Sequence, residues 1–145
     1  MVTFSPALAE DVEPLFLLNK ALIDRYEDVS AIDYDRVLCW VRNNIARNLP
    51  FFTRIFREDQ LAGFYCMTGS DGVMELDSLF ILPSFQNQGI GTAVLENCKR
   101  TAASLSLYVF RQNTGAIRLY QRMGFRITEE VGKTRYIMTW NNQGC

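Results

Sequence analysis

The chain has 145 residues, of which 48% are hydrophobic and 21% charged, and its formal net charge is −1. This size and balance predict one soluble globular domain over 1–145, and the near-neutral charge gives no basis for nucleic-acid binding. Histidine is absent, which excludes Ser-His-Asp and Cys-His catalytic systems and any zinc site that uses imidazole. No apolar run approaches the roughly 18 residues of a membrane-spanning helix, and no signal-peptide pattern opens the chain, so we expect a cytoplasmic protein that uses neither membrane nor metal.

Hydrophobic periodicity and turn residues predict an ordered series of strands and helices. A short strand and two helices come first, followed by three antiparallel strands, a helix led by glycines, a strand, a helix and a final hairpin. The predicted strands are 2–4, 51–57, 61–68, 73–82, 105–110, 125–130 and 134–140, and the predicted helices are 11–25, 33–48, 90–104 and 114–123. This order lacks the strict alternation of a doubly wound dinucleotide fold. It predicts a mixed α/β domain with a mostly antiparallel central sheet and helices on both faces.

The four cysteines are scattered without the C-x-x-C spacing of zinc or redox motifs. Cys39, Cys66 and Cys98 lie within apolar patterns. We therefore expect all three to be buried free thiols in a reducing compartment.

The most informative segment, 79–95, joins the third long strand to the glycine-led helix. Gly89 and Gly91 open that helix and direct backbone N–H groups and the positive end of the helix dipole at one place, which suits an anion such as phosphate. A Walker A loop is excluded because no lysine follows Gly91, and a Rossmann fingerprint is excluded because Val94 stands where the third glycine belongs. The alternative is a tight strand-to-helix turn without a ligand.

The loop 86–91, Gln-Asn-Gln-Gly-Ile-Gly, resembles the Q/R-x-x-G-x-G/A pyrophosphate motif of the GNAT family of acyltransferases. Downstream, Asn113, Tyr120 and the pair at 124–125 resemble the family's second cofactor element, an asparagine cap followed by a Y-x-x-x-G-F helix end. The opening segment 4–15 looks like the family's first strand and helix. The resemblance spans nearly the whole chain and implies the GNAT fold and transfer of an acetyl group from acetyl-CoA, as cosubstrate, to a primary amine.

The resemblance also implies where acetyl-CoA binds. Family members often carry Arg or Lys in the loop, whereas residues 86–88 are neutral here, so backbone N–H groups and the helix dipole would carry most of the pyrophosphate recognition. Arg118 or Arg122 would either add charge or be solvated surface residues. The implied cofactor-binding residues are Leu79, Phe80, Ile81, Gln86, Asn87, Gln88, Gly89, Ile90, Gly91, Thr92, Asn113 and Tyr120. Asn113 is also the expected N-cap of its helix.

Two carboxylates on the third long strand are candidates for the catalytic base. Glu75 stands where some family members carry a catalytic glutamate, and it alternates with Asp77 onto one face of an apolar strand. Partial desolvation and mutual repulsion there raise at least one pKa. The alternatives are that both are solvated or pair with an arginine such as Arg135, or that water is the base and Glu75 only orients it.

The remaining catalytic tasks are protonation of the leaving thiolate and stabilisation of the oxyanion. The resemblance implies Tyr120 as the proton donor, with a packed core tyrosine as the alternative. A strand N–H, of Phe80 or Ile81, would stabilise the oxyanion.

The acceptor would lie between the first two helices and the final hairpin. Tyr26, Glu27 and Tyr34 fall there, with Asp77 on the strand, and aromatic and acidic groups together suit a cationic amine. The alternative for Glu27 is that it belongs to a polar turn without a binding role.

The candidate acceptors are a small amine or amino-acid-like metabolite, a polyamine, an aminoglycoside or a protein amine. The small pocket region favours the metabolite. The rival classes are a catalytically silent acyl-CoA-binding or regulatory module and a nucleotide-binding protein, and an exposed final strand would offer an edge for a homodimer.

Overall fold

A computed structural model describes residues 1–142 and shows a seven-stranded sheet in the order β1-β2-β3-β4-β5-β7-β6. All neighbouring strands are antiparallel except β4 and β5. The strands are β1 Val2–Pro6, β2 Phe52–Arg57, β3 Gln60–Ser70, β4 Val73–Ile81, β5 Ser104–Phe110, β6 Arg126–Val131 and β7 Arg135–Asn141. The helices are α1 Val12–Tyr26, α2 Tyr34–Asn48, α3 Ile90–Lys99 and α4 Thr114–Arg122. The predicted mixed α/β architecture is confirmed.

Two hydrophobic cores lie on opposite faces of the sheet. On one face α1 and α2 pack on β2, β3 and β4 through the buried side chains of Leu15, Phe16, Ile23, Val41, Ile45, Phe52, Phe64, Cys66 and Phe80. On the other face α3 and α4 pack through Ile90, Val94, Leu95, Cys98 and Tyr120 against the strand residues Ile55, Leu76, Leu105, Leu107 and Met138. Because α1 and α2 pack mainly on β2, β3 and β4, Tyr108 on the same side of β5 stays exposed.

Three sequence predictions are corrected. Helix α3 ends at Lys99 rather than at 104, because Ser104 already pairs with Val73 in the sheet. The final strand β7 lies between β5 and β6 and therefore offers no free edge for a dimer, since β6 forms that edge. Cys39 is exposed, whereas Cys66 and Cys98 are buried as expected.

The remaining boundaries differ by a few residues. Strand β3 continues to Ser70 instead of ending at 68, and β1 continues to Pro6. Proline is tolerated there because β1 is the edge strand of the sheet.

Across residues 1–142, none of the helices combines the length and the apolar character that crossing a bilayer requires.

Candidate active site

A gap between β4 and β5 is the central feature of the site. The two parallel strands pair only over Val73–Glu75 and Ser104–Ser106. Both continue, to Ile81 and Phe110, without further pairing between them in the described chain. Backbone N–H and C=O groups that face the gap are therefore available to a ligand that lies along the strand.

The hydrogen-bond alternation of the β3–β4 ladder identifies the groups that face this gap. The Leu82 N–H donates to the Ala62 carbonyl at 2.7 Å. Hydrogen-bonded positions alternate along an antiparallel ladder, so Phe80 also directs its N–H and C=O at β3. Leu79 and Ile81 direct theirs into the gap. Of the two N–H groups predicted for the oxyanion, only that of Ile81 faces the gap. Phe80 is corrected to a core residue whose backbone is used by the sheet.

Two glutamine side chains fold the loop back onto the end of β4. Gln86 donates from Nε2 to the Ile81 carbonyl at 3.0 Å, and Gln88 donates from Nε2 to the Ser84 carbonyl at 3.1 Å. The first of these contacts covers the carbonyl at the mouth of the gap. These neutral side chains therefore shape the loop rather than supply charge.

The loop presents a row of unoccupied backbone donors. Asn87 and Gly89 have φ angles of 62° and 79°, in the left-handed region. The first helical bond of α3 runs from the Ala93 N–H to the Gly89 carbonyl, and within residues 1–142 the N–H groups of 87–92 have no acceptor. A Cβ placed on Gly89 would meet no atom within 4 Å. This open, donor-rich helix start is suited to an anion.

The second glycine of the motif has a packing reason. A Cβ on Gly91 would lie 2.9 Å from Cδ2 of Leu119, so Gly91 brings α3 and α4 into close contact. Asn113 begins α4, and its Oδ1 accepts from the Ala116 N–H at 3.3 Å, which confirms the predicted cap. The cap occupies the oxygen of the Asn113 amide and leaves its Nδ2 for a ligand.

Arg57 is a residue of this site that the sequence did not reveal. At the end of β2, its guanidinium donates to Oε1 of Gln88 in the loop. The candidates Arg118 and Arg122 are exposed and contact no loop residue in the described chain. Because Arg57 and Gln88 are 31 residues apart, the only signal for the contact is the antiparallel order of β2, β3 and β4, which places the β2–β3 turn at the same end of the sheet as the loop.

A bulge in β4 falls at Asp77, two residues after Glu75 and on the same side of the strand. The register of the β3–β4 ladder shifts after Cys66, so that Asp77 is the extra residue on β4. Asp77 accepts from Oγ1 of Thr68 at 2.7 Å and lies 3.8 Å from Sγ of Cys66, on the side of α1 and α2. A hydrogen bond shared with the Asp77 carboxylate, then burial, then the charge of Asp77 raise the pKa of Glu75 to about 7. The predicted mutual effect of the two carboxylates is therefore present, and Arg135 forms no ion pair with either one within 1–142.

Tyr120 is a buried ring with a free hydroxyl. The residue is 8% exposed and its ring lies 5.7 Å from that of Phe125. In the described chain the hydroxyl has no hydrogen-bond partner, yet it is not among the fully enclosed polar atoms. Burial raises the pKa of Tyr120 to about 12. The core position and the available hydroxyl, two alternatives in the sequence, are both present.

The predicted acceptor residues are only partly brought together. The Tyr26 ring stacks on that of Phe110 with centroids 5.8 Å apart, and Glu27 accepts from Oγ1 of Thr134 at 2.7 Å. The end of α1 is thereby joined to β5 and to the β6–β7 hairpin. Tyr34 instead donates to Asp24 of α1, and in the described chain it has no hydrogen bond to Glu75 or Asp77.

Comparison with known proteins identifies a family. The acetyltransferase (GNAT) family model matches residues 15–125. The peptidyl-lysine N-acetyltransferase YjaB of Salmonella typhimurium is 28% identical over 138 residues, which are 92% of each chain. The spermine/spermidine N(1)-acetyltransferase of Bacillus subtilis is 32% identical over 95 residues, 53% of this chain and 60% of that protein. The fold is shared with the PaiA N-acetyltransferase of Thermoplasma acidophilum in complex with coenzyme A, at a TM-score of 0.73, 19% identity and 98% and 99% coverage of the two chains.

Proposed function

The chain belongs to the GNAT family of acetyltransferases, and we propose that it transfers an acetyl group from acetyl-CoA to the primary amine of a small molecule or of a lysine side chain. The observation that carries the proposal is the gap between β4 and β5, which has strand donors along one side and the open loop at its end. An extended chain that ends in a pyrophosphate matches that combination. The carboxylate pair on β4 supplies the base for the amine.

On this proposal, the parts of the cosubstrate bind to separate groups of the protein. The Ile81 N–H and the Leu79 carbonyl pair with the amides of the pantetheine arm, and Nδ2 of Asn113 donates to it from the other side. The N–H groups of 87–92 bind the pyrophosphate. Arg57 adds the positive charge that the loop lacks. The acetyl carbonyl then lies further from the loop, where the Leu79 N–H, the next one that faces the gap, stabilises the oxyanion.

Glu75 is the proposed base for the acceptor ammonium. A free alkylammonium has a pKa of ~10.4, so transfer of its proton to a carboxylate of ordinary pKa is strongly uphill. The raised pKa of Glu75, about 7, reduces that difference by up to about 3 kcal/mol, less whatever solvent screening removes. At neutral pH about half of Glu75 is then ionised and able to accept the proton, directly or through a water molecule.

Tyr120 is the proposed hydrogen-bond donor to the leaving sulfur. Complete proton transfer from a phenol with a pKa of about 12 to a thiolate whose thiol has a pKa of ~8.5 is uphill by about 5 kcal/mol. A hydrogen bond from the neutral phenol has no such penalty and stabilises the thiolate as it forms. After the attack the nitrogen loses a second proton as the C–S bond breaks, and this proton finally neutralises the CoA thiolate.

The test is thiol release by the purified protein with acetyl-CoA and a panel of amines, with mass analysis of the products. We expect release that depends on an alkylamine and produces the N-acetyl derivative. Binding of acetyl-CoA without release across the panel would contradict the proposal and favour the silent acyl-CoA-binding module. Thermal stabilisation by ATP or NAD but not by CoA would contradict both.

A further inference from the structure

We propose that the preferred acceptor of this enzyme carries a carboxylate as well as its amine, and that Arg135 on β7 binds that carboxylate. The inference rests on the proposed function, because it names the substrate class of the same site. Three observations support it: the side of the sheet on which β7 places Arg135, the missing hydrogen-bond acceptor of its guanidinium, and its distance from the gap.

Arg135 lies on the α1/α2 side of the sheet, which is also the side of the proposed base Glu75. Its neighbours in β7, Tyr136, Met138 and Trp140, alternate into the core beneath α3 and α4. Side chains alternate along a strand, so Arg135 and Ile137 face the opposite side, that of α1 and α2. Arg135 thus belongs to the same side of the sheet as the carboxylate pair on β4.

The guanidinium of Arg135 has an unmet hydrogen-bonding requirement. Its Nε is buried and has no acceptor in the described chain, and residues 1–142 place no carboxylate within ion-pair distance of it. The guanidinium lies 5.5 Å from the Tyr108 ring centroid, which gives it a stacking surface but no acceptor. Glu27, the acidic residue at this end of α1, is bonded to Thr134.

A buried donor without an acceptor is rare in native proteins and indicates a partner that only a ligand or water can supply. The Nε–H and the neighbouring Nη–H form the planar fork that matches the two oxygens of a carboxylate. Arg135 as a whole is half-buried, and the Tyr108 ring beside it is exposed, so a ligand can approach the guanidinium along β5. A carboxylate on the acceptor is therefore the group that this position lacks.

The strand register places Arg135 level with the gap. Glu75 pairs with Ser106, so four residues further along β4 and β5 stand Leu79 and Phe110, and Arg135 lies opposite Phe110. Two strand spacings, on the order of 10 Å, separate β4 from β7 where the strands pair, and the gap between β4 and β5 widens this distance at Leu79. An acceptor with its amine in the gap and its carboxylate at Arg135 is therefore an extended ω-amino acid, or a lysine with an acidic group nearby in a peptide.

Matched acceptor pairs test the inference. ε-Aminocaproate and n-hexylamine have the same alkylamine and differ in the carboxylate, and we expect kcat/KM to favour the first by about ten- to a hundredfold. In Arg135→Gln this ratio falls to near one, and in Arg135→Lys, which keeps the charge without the fork, it falls to an intermediate value. Arg126→Gln, an exposed arginine on β6, is the matched control and keeps the wild-type ratio.

Several outcomes would overturn the inference. The inference is wrong if the wild-type enzyme does not distinguish the two acceptors, or if Arg135→Gln keeps the preference. Either result means that Arg135 does not bind a carboxylate and that ordered water satisfies its Nε. The wild-type comparison decides the question even if Arg135→Gln does not fold. Peptides with lysine beside glutamate or glutamine separate the two sources, since a preference only among peptides assigns the carboxylate to a protein acceptor.

A binding measurement keeps this inference separate from the proposed function. Calorimetric titration of the CoA-bound protein with ε-aminocaproate and with n-hexylamine needs no turnover. If no amine is acetylated but ε-aminocaproate binds at least tenfold more tightly and loses this advantage in Arg135→Gln, the proposed function fails and the Arg135 site stands. If acetylation occurs and the two ligands bind equally, the reverse holds.

Discussion

Replacement of Glu75 by glutamine should stabilise the protein above neutral pH while it slows catalysis. The pKa of Glu75 is raised from an ordinary 4.5 to about 7 in the folded chain, so the folded state holds this proton more tightly than the unfolded state does. Below pH 4.5 Glu75 is protonated in both states and carries no penalty. As the pH rises from 4.5 to 7 the unfolded state ionises more readily, so stability falls and stays reduced above pH 7.

The size of the effect follows from the shift. The rise of the pKa from 4.5 to about 7 corresponds to about 3 kcal/mol if it is fully expressed. Glu75 keeps some contact with solvent, and screening reduces this to about 1 kcal/mol. For a domain of this size that is about 3 °C in Tm. Glu75→Gln should therefore match the wild type at pH 4 and melt about 3 °C higher at pH 9.

Thermal unfolding of wild type, Glu75→Gln, Asp77→Asn and the double variant between pH 4 and 9 is the assay. Asp77→Asn removes the largest cause of the shift, so it should give a similar gain at high pH, and the double variant should add little to either one. In acetyl transfer, the deficit of Glu75→Gln should shrink as the pH rises, because the amine then loses its proton unaided. Equal or lower stability of Glu75→Gln at pH 9 would refute the reasoning, and a pH-independent rate deficit would assign Glu75 a structural role.

Three further substitutions test the other parts of the site. Tyr120→Phe should lower kcat about tenfold or more with little change in CoA affinity, and unchanged turnover in a thiol-release assay would exclude the donor role. Arg57→Gln should weaken CoA binding, measured by calorimetry, and raise KM for acetyl-CoA about five- to tenfold. KM for acetyl-pantetheine, which lacks the pyrophosphate, should not change. Equal effects on both substrates, or an equal effect of the exposed control Arg47→Gln, would indicate a structural role. Gly89→Ala should lower the free energy of unfolding, measured in urea, by about 1 kcal/mol, because φ is 79° at this position. It should also weaken CoA binding. Full stability and affinity would show that the loop tolerates the strain.

Local patterns in the sequence predicted the parts of the site that depend on neighbouring residues. The cap at Asn113, the glycine-led start of α3 and the shared side of Glu75 and Asp77 all follow from spacings of a few residues along one element. The order of strands and helices followed in the same way from periodicity and turn residues. Element ends were less accurate, as at Lys99, because long-range pairing in the sheet decides where a helix must stop.

Features that depend on pairing between distant segments could not be predicted. The choice between Phe80 and Ile81 requires the β3–β4 register, and the contact of Arg57 with the loop requires the positions of β2 and α3 in space. The contact of Tyr34 with Asp24 depends on how α1 and α2 pack against each other. The orphaned Nε of Arg135 is visible only once every neighbouring acceptor has been located.

The bulge at Asp77 connects the two halves of the proposed reaction. Pairing between β4 and β5 ends at Glu75, and the extra residue in β4 follows immediately, opposite the step from Cys66 to Met67. A bulge bends its strand and increases its twist, which favours the divergence of β4 from β5 at this point. The alternation of the strand places the carboxylate of Asp77 on the same side as that of Glu75, where it raises the pKa of the proposed base. The point at which β4 leaves β5 therefore coincides with the carboxylate pair, so a thioester in the gap lies next to a base with a raised pKa.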